Sequence, residues 1–390
     1  MSPHRITPAF LIAAGLVAFV ACTAPAASAP PPTASSGPPS PYVVLTGVSC
    51  PSARYCVAVG TEAAQGRTVP VAEAWDGRRW LGQRVPGPTG SIWLASRLDA
   101  VSCSGPSRCV AVGTSHTASS DVAFADSWNG TRWRLLPLSY PAGSTYLYGV
   151  SCRDSMCLLT GSYLSGGQAG GPELPLAFEL DGTAGRRLTP AIPPGQGGVG
   201  LVGVWCTTPS ACMVVGSYDP AHGQGTANVA EEWDGLRWRV LRTASPAGTG
   251  NGPGLVAVAC PITGLCLAVG SYNDISRPGR EFAVREIWQH GRWRMLHLSG
   301  PQKSTPAAVA CPASSNCITV GASTGFADGR PGAEQWTGGS LRYLPVPYPQ
   351  AGTLTAISCA GPQVCMAVGD GTTAFAELWN GSGWRLLSTP

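Results

Sequence analysis

The sequence predicts an all-β chain of seven repeated four-stranded units, and three observations carry that prediction. The motif Leu45-Thr46-Gly47-Val48-Ser49-Cys50, followed by Cys56-Val57-Ala58-Val59-Gly60 and then Ala72-Glu73-Ala74-Trp75-Asp76-Gly77, returns six more times in varied form. Its first cysteines stand at Cys50, Cys103, Cys152, Cys206, Cys260, Cys311 and Cys359, a period of about 50 residues, which marks a repeat architecture. Composition agrees. With 51 Gly and 36 Pro in 390 residues the chain has too many breakers for a helical protein, and at 44% hydrophobic it is too apolar for a disordered one.

The N-terminal residues Met1-Ser2-Pro3-His4-Arg5 precede an apolar run over residues 9–21 and then Cys22, the layout of an export signal. The run is too short to favour a membrane-spanning helix. Phe19-Val20-Ala21-Cys22 resembles the lipobox of bacterial lipoproteins, in which the cysteine becomes the lipidated first residue. Fifteen cysteines less seven pairs leave one over, and it is Cys22. The expectation is a signal peptide over residues 1–21, a lipidated Cys22 at the membrane, and a Pro/Ala/Ser-rich tether through residue 41. The alternative is a plainly secreted protein.

Residues 42–390 hold the repeats, which start near residues 45, 98, 147, 201, 255, 306 and 354. Each opens with a strand that ends at the first cysteine, and a second strand starts at the partner cysteine five residues later, or four in the third unit. That spacing places the two across a tight hairpin, within reach of a disulfide in an exported protein. The expected pairs are Cys50–Cys56, Cys103–Cys109, Cys152–Cys157, Cys206–Cys212, Cys260–Cys266, Cys311–Cys317 and Cys359–Cys365. Each closes a loop worth about 2 kcal/mol in the chain-entropy picture. A hairpin offers two ligands where zinc needs about four, so no metal is expected.

The second half of a unit is a strand ending in Trp, a turn and a last strand, as in Trp75-Asp76-Gly77 with Trp80 or Trp379-Asn380-Gly381 with Trp384. Asp-Gly and Asn-Gly suggest type I′ turns. An acid stands two residues before the first Trp, at Glu73, Asp126, Glu231, Glu286, Glu334 and Glu377. An Arg follows the second Trp position at Arg134, Arg239, Arg294, Arg342 and Arg385. On paired strands these predict a structural ladder of acid and base. The third unit departs most, with Leu180 and Gly185 in place of both tryptophans, and Trp205 next door suggests compensation for the lost volume.

Four strands per unit, seven times, make a seven-bladed β-propeller the expected architecture. Small residues at Gly47, Ala100, Gly149, Gly203, Ala257, Ala308 and Ala356 suit first strands converging on an axis. The Asp-Gly-x-x-Trp turn resembles the Asp-box repeats of sialidase-like propellers. The Val-x-Cys to Ala-Val-Gly half resembles the repeats of photosystem-assembly-factor propellers. The resemblance covers about residues 45–390 and implies the fold; it does not extend to the sialidase constellation of arginines, acid and tyrosine.

Function is less legible. Net charge is +4 with a single lysine, Lys303, and no basic tract, which argues against nucleic acid. The variable loops fall on the face where first strands begin, and variable loops on a repeat scaffold carry recognition. Their singular residues include Trp93, Tyr140, Tyr146, Tyr163, Tyr218, His222, Tyr272, Arg277, Arg280 and Arg330. The expected function is a monomeric, non-enzymatic surface module without cofactor that binds a protein or a glycan. The alternative is a secreted glycoside hydrolase or lyase of sialidase-like propeller type, with acids such as Asp219, Asp274, Asp328 and Asp370 converging above the axis.

Overall fold

The structure, a computed structural model, describes residues 42–64, 67–88, 93–166, 171–193, 196–220, 225–244, 251–273, 281–296, 304–323, 329–347 and 351–389. The chain divides into Met1–Pro39 and Ser40–Pro390, and every described residue belongs to the second part. The expected signal peptide, Cys22 and the tether lie outside the described residues. Among the described residues no helix is long and apolar enough to cross a membrane.

The described residues form 28 strands in six sheets. Five sheets have four antiparallel strands in sequence order. The other has eight, because units 1 and 2 touch through one parallel bridge between Thr68 and Ala95. The fold is therefore all-β and propeller-like, with seven four-stranded units. Unit 2 shows the pattern in Trp93–Gly105, Arg108–Thr117, Asp121–Trp128 and Trp133–Leu135. In every unit a disulfide closes the first hairpin, with Cα atoms 3.9 to 4.1 Å apart.

Apolar burial is organised between units rather than within them. Six clusters of buried residues each span two consecutive units, from Val57, Val59, Leu98 and Trp133 between units 1 and 2 to Ala310, Ile318, Leu354 and Trp379 between units 6 and 7. The seventh joins Leu45, Val48 and Trp75 of unit 1 to Met366, Val368 and Leu387 of unit 7. Hydrogen bonds follow the same scheme. Ser49, Ser102 and Ser151 each accept from the cysteine N–H of the next unit, at Cys103, Cys152 and Cys206, and Ser358 accepts from Cys50, all at 2.9 Å. Thr46 donates to Leu98 O at 2.7 Å, and Thr355 donates to Leu45 O at 2.6 Å. The contact of unit 7 with unit 1 thus repeats that of unit 1 with unit 2.

Every first strand carries a β-bulge at one position. Pairing skips Thr46, Asp99, Tyr148, Val202, Val256, Ala307 and Thr355, so each is the extra residue of its strand. The glycine opposite, as in Val59-Gly60, is required by the same feature. A Cβ on Gly60 would lie 1.9 Å from the carbonyl oxygen of Val44, and Gly113 meets Arg97 O at 2.0 Å. Bulges bend a strand and re-aim its side chains.

Three expectations are corrected. The Asp-Gly and Asn-Gly turns are not type I′, because only the glycine has positive φ, 93° at Gly77 and 94° at Gly130. Four residues separate the paired tryptophans, and the Asp or Asn side chain caps the loop: Asp76 accepts from the N–H groups of Arg78 and Arg79 at 2.8 and 2.9 Å.

The acid and the Arg do not form a ladder. Successive strand residues face opposite sides, so Arg239 pairs with Glu232 and Arg342 with Gln335 on the exposed face. The acids themselves are buried between units. Glu231 accepts from Ala191 N at 3.0 Å and Glu286 from Ala244 N at 3.0 Å, both on the connector leading into the acid's own unit. In unit 3 the acid is Phe178, and the connector offers Tyr140, whose ring meets it edge-on at 5.4 Å.

Trp205 does not replace the tryptophans lost from unit 3. Leu138 fills that space, its Cδ2 standing 2.2 Å from where a Cβ on Gly185 would be. Trp205 packs instead on the clusters between units 4, 5 and 6.

Candidate functional site

The first strands of all seven units surround a cavity of about 670 Å³, a volume suited to a small ligand or part of a larger one. All seven bulge residues line it. Their chemistry divides them. Val202, Val256 and Ala307 are apolar, while the hydroxyls of Thr46 and Thr355 are spent on the next unit's carbonyl. Asp99 and Tyr148 carry the remaining polar groups of this ring.

Around them units 2 and 3 assemble a cluster with no counterpart among the described residues of the other units. Arg97 Nε donates to Asp99 Oδ1 at 2.9 Å, and Asp99 Oδ2 is buried without a partner. Burial pushes the Asp99 carboxyl up to about 6, against the pull of Arg97 and His116. Asp121 behaves in the opposite way. Tyr146 Oη donates to its Oδ2 at 2.6 Å and His116 Nδ1 to its Oδ1 at 2.6 Å. Burial acts to raise its pKa, but these bonds together with His116 and Arg97 outweigh that and hold it below the ordinary carboxylate value.

The phenols are tied to the same pair. Tyr146 is pushed up to about 12 by burial and by Asp121. Its ring stacks on Tyr148 with centroids 6.0 Å apart and planes 7° apart. Strand ends explain the assembly: Arg97 and Asp99 lie on one first strand, Tyr146 and Tyr148 on the next, and His116 faces Asp121 across the hairpin of the second and third strands of unit 2. The side chains of Arg97 and His116 keep 43% and 38% of their surface, enough to meet a ligand. The cluster thus combines a carboxyl that keeps its proton toward neutral pH, an ionised carboxylate, a cation and two stacked phenols.

Of the residues singled out in the sequence, Tyr146 joins this cluster. Tyr163, Tyr218 and Tyr272 are half-buried and pack on the clusters between units, Tyr272 also stacking on Phe282 at 5.4 Å. The side chain of Trp93, with His222, Arg277, Arg280, Asp274 and Asp328, lies outside the described residues. Asp370 accepts from Tyr42 Oη at 2.5 Å and so ties unit 7 to unit 1. Asp99, Asp121, Arg97, His116 and Tyr148 escaped the sequence reading. The signal that could have found them is Asp and Tyr in a column otherwise filled by Thr, Val and Ala. Among the described residues no three His, Cys, Asp or Glu side chains converge as a metal would require.

No family model matches the chain, and no curated protein does. Solved structures match in fold. YCF48 from Cyanidioschyzon merolae is 13% identical, with a TM-score of 0.52 over 87% of this chain and 97% of that one. A GH74 xyloglucanase from Xanthomonas campestris is 13% identical, with a TM-score of 0.55 over 88% of this chain but only 54% of that one. A PL25 ulvan lyase, bound to a glucuronate-containing saccharide, is 9% identical, with a TM-score of 0.57 over 85% of this chain and 91% of that one. At these identities the likeness is one of fold.

Proposed function

We propose that the seven units close into a seven-bladed β-propeller, exported and anchored through a lipidated Cys22, that hydrolyses a glycan at the cluster of units 2 and 3. Closure is supported by the bonds from Ser358 to Cys50 and from Thr355 to Leu45, which match those between units 1 and 2. The observation that carries the chemistry is the split between two carboxyl groups in one cluster. Glycoside hydrolysis needs one acid that is still protonated and one carboxylate that is not, each set by its surroundings.

Asp99, raised to about 6, is suited to protonate the leaving oxygen; Asp121, held low, is suited to act as base or nucleophile. Arg97 and His116 bias both groups. The stacked tyrosines offer an apolar wall with hydroxyl edges, the mixture that sugar rings need. Two of the propellers that the chain resembles in fold act on polysaccharides by their names.

A reducing-end assay over a panel of neutral and uronate-containing polysaccharides tests this. Activity on one of them should be lost by about 100-fold or more in Asp99→Asn and in Asp121→Asn, with the fold intact. It should fall as pH rises past about 6, where Asp99 loses its proton. The mutually bonded His116, Asp121 and Tyr146 favour a second reading, recognition without turnover, because their groups already satisfy one another. Saturable glycan binding that Tyr146→Ala abolishes, with no reducing ends released, would establish that reading instead.

A further inference from the structure

The opposite mouth of the cavity, where the disulfide hairpins lie, holds a second pair of departures from the repeat. The residue after the first cysteine is Pro51, Ser104, Thr207, Pro261, Pro312 or Ala360 in six units and Arg153 in the third. The residue before it is Ser or Ala in six units and Trp205 in the fourth. These two meet. The Arg153 guanidinium lies over the Trp205 ring, 5.1 Å from its centroid, and both residues line the cavity.

Trp205 carries a cost that calls for a reason. In its column Ser49, Ser102, Ser151 and Ser358 bond the next unit, and an indole there forgoes that bond. Arg153 is under-partnered. Its guanidinium makes a long bond, from Nη1 to the neighbouring carbonyl, Cys152 O, at 3.4 Å. No described carboxylate lies within 4.0 Å of it. Burial weakens its hold on the proton, and Asp154 only partly offsets that from a distance. A half-buried guanidinium whose face is covered by an indole keeps its N–H edge for an acceptor.

We propose that Arg153, stacked on Trp205, binds the carboxylate of a small organic acid in the disulfide-end mouth of the cavity. The planar fork of the guanidinium matches a carboxylate edge, and the ring fixes the plane in which that edge is offered. Local charge selects a monoanion. Arg153 and Arg108 are balanced in part by Asp154, whose carbonyl Arg108 Nη1 holds at 3.1 Å, so a single negative charge neutralises the mouth. The site stands apart from Asp99 and Asp121 at the other end of the first strands.

Calorimetric titration of the purified chain with the monoanions D-glucuronate and L-lactate tests this, with D-glucose as the neutral control. Saturable binding of an acid and none of glucose is expected. Affinity should drop about thirtyfold or more in Arg153→Gln and less in Arg153→Lys, which keeps charge without the fork. A second measurement needs no variant: arginine-directed labelling with phenylglyoxal, followed by peptide mapping, should show Arg153 protected by the acid while Arg108 labels as before. Equal binding of glucose, equal affinity in folded Arg153→Gln, or no heat together with unprotected Arg153 would each overturn the proposal.

Discussion

Units 2–3 and units 5–6 share one backbone and differ in what it aims at the cavity. Both regions have the same bulge, the same small residue after it and the same glycine opposite. In units 5–6 the bulge carries Val256 and Ala307; in units 2–3 it carries Asp99 and Tyr148. The serine that bonds the next unit is present at Ser102 and Ser151 and absent at Ala259 and Ala310. The difference teaches that the repeat supplies a position, and that chemistry arises where one unit departs from its neighbours at that position.

The largest expected effect exchanges the two regions. Asp99→Val should remove hydrolysis by about 100-fold or more while the melting temperature holds, because the bulge accepts valine elsewhere in the ring. Adding Val256→Asp to Asp99→Val should restore none, since unit 5 has no equivalent of His116 and Tyr146. Recovery of activity in that double variant would show that the bulge position suffices.

Next comes the packing both regions share. Trp233→Ala should cost about 3 to 5 kcal/mol in urea unfolding, because the side chain is 2% exposed between units 3 and 4. Leu236 at the adjoining turn is 85% exposed, and Leu236→Ala should change stability by about 0.5 kcal/mol or less.

Stability should then depend on pH through the buried acids. Burial raises Glu73, Asp126 and Glu377 to about 7 and Glu231 to about 8. The native chain therefore binds more protons than the unfolded chain from the ordinary carboxylate range up to those values, and its stability falls as pH rises through them. Calorimetry should give a higher melting temperature near pH 5 than near pH 8.5, and Glu377→Gln should shrink the difference. Unit 3, which uses Phe178 and Tyr140 in place of the acid, should contribute nothing to that slope.

A last prediction tests the serine bonds. Ser151→Ala leaves the Cys206 N–H buried and unpaired and should cost about 1 to 3 kcal/mol. Ala259→Ser should add a fraction of that by restoring the bond to unit 6. A neutral Ser151→Ala would mean that the seam between units 3 and 4 relaxes to readmit water.

Much of the fold is legible in residues that recur. The cysteine spacing marks the first hairpin of each unit, and the paired tryptophans mark the second. The column from Gly47 to Ala356 marks close approach, which the 3.0 Å from a Cβ on Gly47 to Ala100 Cα bears out. The site was legible only at Tyr146, which stands beside the connector at the start of its strand; Arg97, Asp99, His116 and Tyr148 sit further inside strands, where polar residues read as the solvent side of an alternating pattern. A bulge breaks that alternation. Past the extra residue every side chain changes face, so Asp99 turns to the cavity although simple alternation gives no reason for it.

Period, strand content and disulfide spacing follow from the sequence alone because each depends on residues close together in the chain, where spacing and geometry are the same quantity. Tertiary structure decided the rest: which way the bulge residues point, that the repeated acids are buried against connectors, and that Arg153 meets Trp205. These depend on register and on contacts between units about 50 residues apart, where a one-residue shift exchanges buried for exposed and the energy is set by the neighbouring unit.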